Sequence, residues 1–476
     1  MAIDETPSAK IVEIRRRGPL ERALGLFTDV RAGEAPTALL LMINVFLLFT
    51  AYYLIKPVRE ALILEGGATE ILGWSVGKAQ IKSYSSALMA LLLIFVVRWY
   101  GKLASSVARQ KLITYVTLFF VSNLIVFFLL AQKTVSVWLA IAFFVWVGIF
   151  NNLVVAQFWA FANDVYLPDQ GKRLFPIVGF GASSGAVGGS WIAGRIISIG
   201  EAPMLLVAGA LLGVCVGFTL LVHRREATSQ ARRTATLQAQ LDAEKPVGKE
   251  GGFRLVFSDR YVLFIALLIL VANIVNTTGE FILGQKVSEA AAGVVASGAA
   301  GGLSEGQWIG KFYSEYFLWV NILTAVLQLF LVSRILKYAG VRVALFLLPA
   351  VALGGYTVLA FGAAIGFVRI VKILENSTDY SVQNTTRQAL FLPTSREVKY
   401  KAKAAIDTFF VRTGDFVSAL LVFVGTAVAL GVEQFAMVNL ALVAVWIGLA
   451  IGVARRHRRM TTEAEHRLAP EAASAS

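Results

Sequence analysis

Three charged residues inside a long apolar stretch are the first sign of chemistry in this sequence. Residues 37–64 begin as an uninterrupted apolar run and then include Lys56, Arg59 and Glu60. About 20 apolar residues suffice to cross a bilayer, and helical spacings of three and four residues place such side chains on one face. Because a charge at membrane depth costs at least ~2.5 kcal/mol, we expect this face to line a polar interior. The alternative is that Lys56 and Arg59 extend to the membrane surface.

Polar side chains recur at depth in three other apolar segments, near residues 137–161, 258–280 and 364–384. Arg369 and Lys372 are three residues apart, so we expect them to share a helical face and act as one clamp for an anion. Polar groups gathered at membrane depth mark a substrate path, and the alternative is ion pairs that serve only structure. The candidate substrate-binding residues are Lys56, Arg59, Glu60, Asn152, Asn276, Glu280, Arg369, Lys372, Glu375 and Asp379.

The elements that must position these residues are transmembrane helices. Of the 476 residues, 57% are hydrophobic, and they gather in runs of membrane length. The sequence predicts an all-α integral membrane protein with twelve transmembrane helices. We place them near residues 37–56, 81–98, 112–130, 137–161, 174–199, 203–222, 258–280, 316–334, 343–362, 364–384, 405–428 and 435–453.

Positive charge is distributed unevenly between the connecting segments. If both termini are cytoplasmic, 33 of the 44 Lys and Arg residues fall in cytoplasmic segments and 7 in outside loops. This is the positive-inside bias of membrane proteins, and it explains the net charge of +14 without a nucleic-acid partner. All three histidines lie outside the predicted helices, and the single Cys215 lies in an apolar run. We therefore expect no metal site and no cofactor.

The chain divides into two halves of six predicted helices each. The motif REALIL at Arg59 lies 220 residues before GEFILG at Gly279, and Leu167-Pro168 lies 225 residues before Leu392-Pro393. These nearly equal offsets indicate a duplicated unit, which is the parallel repeat of a major-facilitator-like 6+6 arrangement. The predicted segments are a cytoplasmic tail at 1–36, bundles at 37–222 and 253–454, a cytoplasmic linker at 223–252 and a tail at 455–476. The Ala- and Gly-rich outside loop at 284–311 is expected to be flexible.

Basic turns precede the fifth and the eleventh predicted helices, and we interpret them as part of a cytoplasmic gate. Acidic partners would hold them when the inside is closed, and the alternative is charge that serves only to orient the chain. The candidate gate residues are Asp164, Lys172, Arg173, Lys401, Lys403 and Asp407. Within the fifth helix Gly181, Gly185 and Gly189 recur every four residues, which predicts the close approach of another helix.

Three stretches resemble the ATP/ADP translocase family of plastids and intracellular bacteria. The segment FWAFANDVYLPDQGKRLFPIVGFGA, from Phe158, is similar to the family's FWxFAN followed by KRxxPxxGxGA. KAKAAID at Lys401 resembles the family's KGKAAID, and Arg59-Glu60-Ala61-Leu62 stands where the family has Lys-Asp-Val-Leu. The resemblance covers most of the chain. It implies exchange of nucleotides or related phosphorylated solutes without hydrolysis, with Arg59 in the place of the family's first-helix lysine.

Three positions depart from the family pattern. The family's acidic residue in the fourth helix falls at Val147, its acidic residue in the seventh falls at Asn276, and its lysine in the eleventh falls at Asp415. The resemblance therefore implies a divergent member, and it leaves open whether ATP or ADP is the substrate.

The sequence thus predicts a monomeric secondary transporter in a bacterial inner membrane, which moves a phosphorylated anion such as a nucleotide by alternating access. One alternative is a proton-coupled carrier of another small organic solute, with Glu280, Glu375 or Asp379 as the proton site. A membrane-embedded enzyme would need a catalytic constellation such as an Asp/His metal cluster, and no histidine falls in the predicted helices. A sensor or scaffold without transport is the remaining alternative.

Overall fold

The computed structural model shows a bundle of long helices. It describes residues 18–24, 28–31, 33–66, 68–71, 73–132, 136–166, 168–230, 252–395, 398 and 402–474. Most of the predicted linker at 223–252 and half of the N-terminal tail lie outside these ranges, as does the gate candidate Lys401. The side chain of Lys172 also lies outside the described part.

In the residues that the structure describes, the N-terminal half contains seven α-helices, a short hairpin of strands and a 3-10 turn at Ile197–Ile199. The helices are α1 Pro19–Leu24, α2 Ala35–Leu64, α3 Lys78–Ser106, α4 Arg109–Ala131, α5 Val137–Val165, α6 Pro168–Ile196 and α7 Glu201–Gln230. Strands β1 Thr69–Ile71 and β2 Trp74–Val76 pair antiparallel between α2 and α3, with Thr69 opposite Val76. Gly73 has a φ of 82° in the connecting turn, a conformation that glycine adopts at little cost. This hairpin was not predicted from the sequence.

The C-terminal half repeats the pattern of long helices and adds π-helical segments. Its α-helices are α8 Gly252–Ser258, α9 Arg260–Ala296, α10 Glu305–Val326, α11 Val332–Arg334, α12 Gly340–Ala360, α13 Ile365–Thr378, α14 Asn384–Leu390, α15 Lys403–Ala405, α16 Val411–Ala427 and α17 Val432–Ser474. The π-helical segments are Leu327–Leu331, Ile335–Ala339, Asp379–Gln383 and Ile406–Phe410.

The two ends of the bundle differ in character. At the basic end, where α2 begins, Arg173 pairs with Glu34, and the Nε atom of Arg225 donates to the Thr37 hydroxyl at 3.1 Å. The hairpin end is where α2 ends and β1 and β2 follow. Successive long helices run in opposite directions between these ends, as short connections require.

All twelve predicted transmembrane segments overlap helices of the structure. Within the described residues, nine helical stretches are long and apolar enough to cross a membrane, and one of them, Glu305–Ala360, is 56 residues long and covers two predicted segments. The prediction of an all-α multi-pass membrane protein is therefore confirmed. The number of twelve crossings stays a prediction.

The prediction of a flexible loop at residues 284–311 is wrong. Helix α9 runs for 37 residues to Ala296, and α10 begins at Glu305. The Ser304 hydroxyl caps α10 by accepting from the Gln307 amide at 3.1 Å, a favoured N-terminal arrangement. Alanine is the best helix former, so the alanines of this stretch extend α9. Glu280 consequently lies in the interior of a helix instead of at its end.

Helices α2 and α6 pack at close range along a row of small residues. A Cβ atom at Gly181 or Gly185 would overlap the backbone carbonyl of Met42 or Phe46 on α2, and one at Gly189 would lie 2.6 Å from the Thr50 carbonyl. Substituting any of these glycines would force the two helices apart. The packing role predicted for this row is confirmed.

The two halves are joined from mid-depth to the hairpin end. There the Ser288 hydroxyl of α9 donates to the Leu64 carbonyl of α2 at 3.1 Å, and the Gly66 amide donates to the Glu305 carboxylate at 3.1 Å. Deeper in the bundle the rings of Tyr53 and Phe317 meet edge to face, 6.1 Å apart. The structure is therefore closed at the hairpin end.

Candidate functional site

The charged face of α2 lies in the buried centre of the bundle. Glu60 is 1% exposed and Lys56 9% exposed. The Nε atom of Arg59 donates to Glu60 Oε1 at 3.0 Å, and its guanidinium lies 4.5 Å from the centre of the Phe144 ring. These side chains therefore face the protein interior, and the alternative that they extend to the surface is wrong.

Lys82 is the residue of this cluster that the sequence analysis missed. Its Nζ atom lies 2.8 Å from Glu60 Oε2 and donates to the Tyr313 hydroxyl at 3.4 Å. Lys82 lies at the edge of the helix predicted at 81–98, where the sequence offers no reason to assign it to the site. In the structure α3 begins at Lys78 and carries Lys82 into the interior, where it is 6% exposed.

Glu280 connects the two halves through two lysines. One carboxylate oxygen lies 3.7 Å from the Lys82 Nζ atom of the N-terminal half, and the other lies 3.5 Å from the Lys372 Nζ atom of the C-terminal half. The side chain of Glu280 is 26% exposed. Its side-chain oxygen also accepts a hydrogen bond from Asn376 Nδ2 at 3.1 Å.

Lys372 is held by α13 and α9 together. Its Nζ atom lies 3.1 Å from Glu375 Oε2, one turn further along α13, and donates to Asn276 Oδ1 at 3.1 Å. The Tyr356 hydroxyl donates to the same Glu375 carboxylate at 3.1 Å. Lys372 and Glu375 are both buried, so this pair is shielded from solvent competition.

Tyrosines complete the network, although the sequence alone offers no reason to assign them a role. Asn376 Nδ2 lies 2.6 Å from the Tyr316 hydroxyl, while Tyr313 contacts Lys82 and Tyr356 contacts Glu375. Aromatic residues at helical spacing are typical of an ordinary core. Their hydroxyl groups become informative only when the neighbouring helices are known.

Lys56 is surrounded by aromatic rings. Its Nζ atom lies 4.0 Å from the centre of the Phe317 ring, 5.1 Å from that of Tyr53 and 5.6 Å from that of Tyr52. Ring faces attract a cation. Within the described residues no carboxylate forms an ion pair with Lys56, which distinguishes it from Arg59, Lys82 and Lys372.

The expected clamp of Arg369 and Lys372 is not formed. Arg369 pairs with Glu315 of α10 at 3.1 Å and lies 5.3 Å from the centre of the Phe312 ring. Glu315 is 45% exposed, so this pair lies at the edge of the bundle. Lys372 turns inward instead. The two residues share a helix, but they face different neighbouring helices.

A second polar link between the halves forms around Asn152. Arg412 of α16 donates to Asn152 Oδ1 at 3.1 Å and pairs with Asp415 at 3.0 Å. Asn273 and Thr277 of α9 donate to the same Asp415 carboxylate at 2.8 and 3.1 Å. Asn152 is thus placed at an interface between the halves.

At the basic end, Arg173 is held within its own half. Its guanidinium lies 2.8 Å from Glu34 Oε1. Burial is the largest single influence and acts to raise the pKa of Glu34. The hydrogen bonds from Arg173, Gln170 and the Arg31 amide, together with the charge of Arg173, outweigh it, and the pKa lies below its ordinary value. Lys403 pairs with Asp407 one turn along its own helix at 3.0 Å, and Asp164 lies exposed. A gate that joins the halves through these residues stays a prediction.

The central cluster has the composition of a site for an anion. We define it as Lys56, Arg59, Glu60, Lys82, Glu280, Lys372 and Glu375, which gives four cations and three carboxylates. Ammonium and guanidinium groups are the usual ligands of phosphate. In this structure three of the four cations, Arg59, Lys82 and Lys372, form ion pairs with carboxylates. No group of His, Cys, Asp and Glu in the described residues is arranged to hold a metal ion.

Sequence comparisons relate the chain to nucleotide carriers. The family model "TLC ATP/ADP transporter" matches residues 348–457. ADP,ATP carrier protein 1 of Chlamydia pneumoniae is 20% identical over 360 residues, 65% of this chain and 66% of that protein. ADP,ATP carrier protein 4 of Rickettsia bellii is 24% identical, over 63% of this chain and 61% of that protein. The chain thus spans just under two thirds of these two relatives.

Two solved structures with the same fold are transporters. The nucleoside transporter NupG superposes with a TM-score of 0.57 at 14% identity, over 89% of this chain and 99% of that chain. The POT family transporter PepTSo superposes with a TM-score of 0.57 at 12% identity, over 90% and 98%. At such identities the likeness shows the fold alone. The chain thus resembles the ATP/ADP transporter family at low identity, and it has the same fold as these two solved transporters.

Proposed function

We propose that the protein is a secondary transporter that exchanges nucleotides across a membrane by alternating access. The observation that carries this proposal is the central cluster, where cations from both halves meet in the protein interior. Alternating access requires a substrate site between two bundles that move relative to each other. The relatives named as ADP,ATP carriers supply the substrate class.

Phosphate groups of the nucleotide are the part that the central cluster would bind. Arg59 offers a planar fork that matches two phosphate oxygens, and Lys82 and Lys372 offer compact charges from opposite halves. Lys56 lies against aromatic rings and forms no ion pair with a carboxylate of the described residues, so it can bind a phosphate without first losing an ion pair. Asn276 and Asn376 would orient the same groups through their hydrogen bonds to Lys372 and Glu280.

The departures from the family pattern have local explanations. Val147 is fully buried among apolar residues. Asp415, where the family has a lysine, pairs with Arg412 at 3.0 Å, so a positive charge is still present one turn away. Asn276, where the family has an acidic residue, is uncharged and accepts a hydrogen bond from the Lys372 Nζ atom. These contacts support a nucleotide site whose charges are rearranged.

Transport by purified protein in liposomes tests the proposal. Vesicles loaded with unlabelled ATP or ADP should take up labelled nucleotide, and a panel of sugar phosphates and nucleosides should compete according to their phosphate content. Uptake of another solute class without any nucleotide uptake would contradict the proposal.

We further propose that the protein acts as a monomer in a bacterial inner membrane, with the basic end in the cytoplasm. The unequal distribution of Lys and Arg supports this orientation. In a variant without the single Cys215, a cysteine introduced in the turn at residues 297–304 should react with an impermeant reagent in intact cells, and one at Arg225 should not. The reverse labelling pattern would invert the orientation.

A second candidate function is proton-coupled transport, and a cavity inside the C-terminal half favours it. The cavity measures about 60 Å³ and is lined by Glu375, Asp379, Gln383, Arg387 and Trp446, among others. Buried polar atoms of Gln383, Arg387 and Trp446 have no hydrogen-bond partner in the described part of the chain, so the space suits a few water molecules. Uptake driven by a pH gradient, and lost in Asp379→Asn, would favour this function over exchange.

A further inference from the structure

Glu280 is the most accessible carboxylate of the central cluster. Its side chain is 26% exposed, whereas those of Glu60 and Glu375 are 1% and 3% exposed. Its distances to Lys82 and Lys372 are 3.7 and 3.5 Å. Each of these lysines has a shorter ion pair with another carboxylate, Glu60 at 2.8 Å and Glu375 at 3.1 Å.

The pair of Glu280 and Lys82 crosses between the halves of the protein. Glu280 belongs to α9 and Lys82 belongs to α3, while the other ion pairs of both residues stay within their own half. This pair lies on the side of the bundle where Ser288 and Leu64 close the hairpin end. Opening that end would separate Lys82 from Glu280.

We propose that Glu280 is a tethered counter-ion that holds the empty transporter closed, and that a substrate phosphate takes its place between Lys82 and Lys372. The proposal rests on the nucleotide exchange proposed above and supplies the reason why it is an exchange. Without an anion, the bundle stays locked by its own carboxylate. With a phosphate present, the lysines keep a partner that belongs to neither half, so the halves can separate.

The charge-neutral variant Glu280→Gln tests the proposal in two independent measurements. In liposomes, the wild type should take up external nucleotide only in exchange for nucleotide already inside the vesicle. The variant should also fill empty vesicles, with a ratio of net uptake to exchange that rises by about tenfold, as expected for the loss of one charged contact. Its apparent nucleotide affinity should increase, because no carboxylate competes for the lysines.

The second measurement needs no nucleotide. Ser288→Cys in a Cys215→Ala background places a thiol at the closed hairpin end, where an impermeant maleimide should react slowly. Adding Glu280→Gln should raise the labelling rate by about tenfold. Glu315→Gln is the matched control, because it removes one carboxylate from a pair with Arg369 that stays within one half. It should leave both the labelling rate and the uptake ratio unchanged.

The outcomes separate the two proposals. Exchange by the wild type, with uptake ratio and labelling unaffected by Glu280→Gln, would overturn the counter-ion role and leave nucleotide exchange in place. Faster labelling in Glu280→Gln without nucleotide transport by the wild type would establish the lock and overturn the proposed substrate. An equal increase in labelling for Glu315→Gln would show that any lost carboxylate loosens the fold, and would also overturn the specific role of Glu280.

Discussion

The ion pair of Lys82 and Glu60 allows a quantitative test of the central cluster. The two charges are 2.8 Å apart and their side chains are 7% and 1% exposed. Removing one partner of a buried pair costs about 3–5 kcal/mol when the other is left alone. In Lys82→Met, however, Glu60 keeps Arg59 and Glu280 keeps Lys372. We therefore expect a smaller loss of unfolding free energy, about 2–3 kcal/mol.

A double-mutant cycle isolates the interaction of the two side chains. Unfolding free energies of the wild type, Lys82→Met, Glu60→Gln and the double variant would be measured by denaturant titration in detergent micelles, followed by tryptophan fluorescence. Because neutral replacement of both partners costs less than the loss of one, the coupling energy should be about 2 kcal/mol.

The matched control for this cycle is the pair of Lys286 and Glu289. These charges are 4.0 Å apart, and the Glu289 side chain is 53% exposed. An exposed pair should give a coupling energy of about 0–1 kcal/mol. Additive effects of Lys82→Met and Glu60→Gln, within ~0.5 kcal/mol, would refute the buried pair.

Three further predictions concern the substrate site, the packing of helices and pH. Arg59→Ala should weaken nucleotide binding about tenfold or more, since a hydrogen bond to a charged group contributes roughly 1.5–3 kcal/mol. Arg59→Lys should reduce the nucleotide affinity by a smaller factor. Unchanged affinity of the alanine variant in a binding isotherm would exclude Arg59 from the site. Gly185→Val should abolish the yield of folded protein in size-exclusion chromatography, because the valine side chain would overlap the α2 backbone. Gly179→Ala is the control and should be tolerated, because the added methyl group would meet no neighbouring atom. Equal yields of the two variants would contradict the close packing. The depressed pKa of Glu34 stabilises the folded state above the pKa of the unfolded chain, and this contribution is lost as pH falls through the folded pKa. Arg173→Met should therefore flatten the acid side of the stability–pH profile, and superimposable profiles would argue against the pair.

The charged face of α2 was predictable because the physical cost of a charge in an apolar helix is large. Lys56, Arg59 and Glu60 interrupt one continuous apolar run, which marks them as charges at membrane depth. The fold was needed to exclude the alternative that Lys56 and Arg59 extend to the membrane surface. Lys82 carries the same charge and is equally buried, but it lies within the first turns of its helix. A sequence pattern locates helix ends poorly, so a lysine there is indistinguishable from one in a loop.

Spacing along one helix also did not reveal which neighbours each side chain meets. Arg369 and Lys372 are three residues apart, and this places them near each other on α13. Their partners, Glu315 and Glu280, belong to α10 and α9. The contacts with other helices determine which way each side chain turns, and they depend on the packing of the whole bundle.

The internal repeat of the sequence relates two carboxylates of the central cluster. Glu60 and Glu280 occupy matching positions of the two similar motifs, 220 residues apart. In the structure both carboxylates contact the same lysine, Lys82, at 2.8 and 3.7 Å. The match of motifs predicted related positions in the two halves. Their convergence on one residue required the fold.

The π-helical segments give the two halves different mechanical properties. The described ones, Leu327–Leu331, Ile335–Ala339, Asp379–Gln383 and Ile406–Phe410, all lie in the C-terminal half between mid-depth and the basic end. A π turn contains an extra residue and is a point at which a helix can bend. Helices α2 and α6 of the N-terminal half, by contrast, pack closely through their glycine contacts and should move as one rigid unit. When the halves rock, the strain should therefore concentrate in the C-terminal half. The segments Leu327–Leu331, Ile335–Ala339 and Ile406–Phe410 contain no residue of the central cluster, so changes there should alter the rate of transport more than the affinity for substrate.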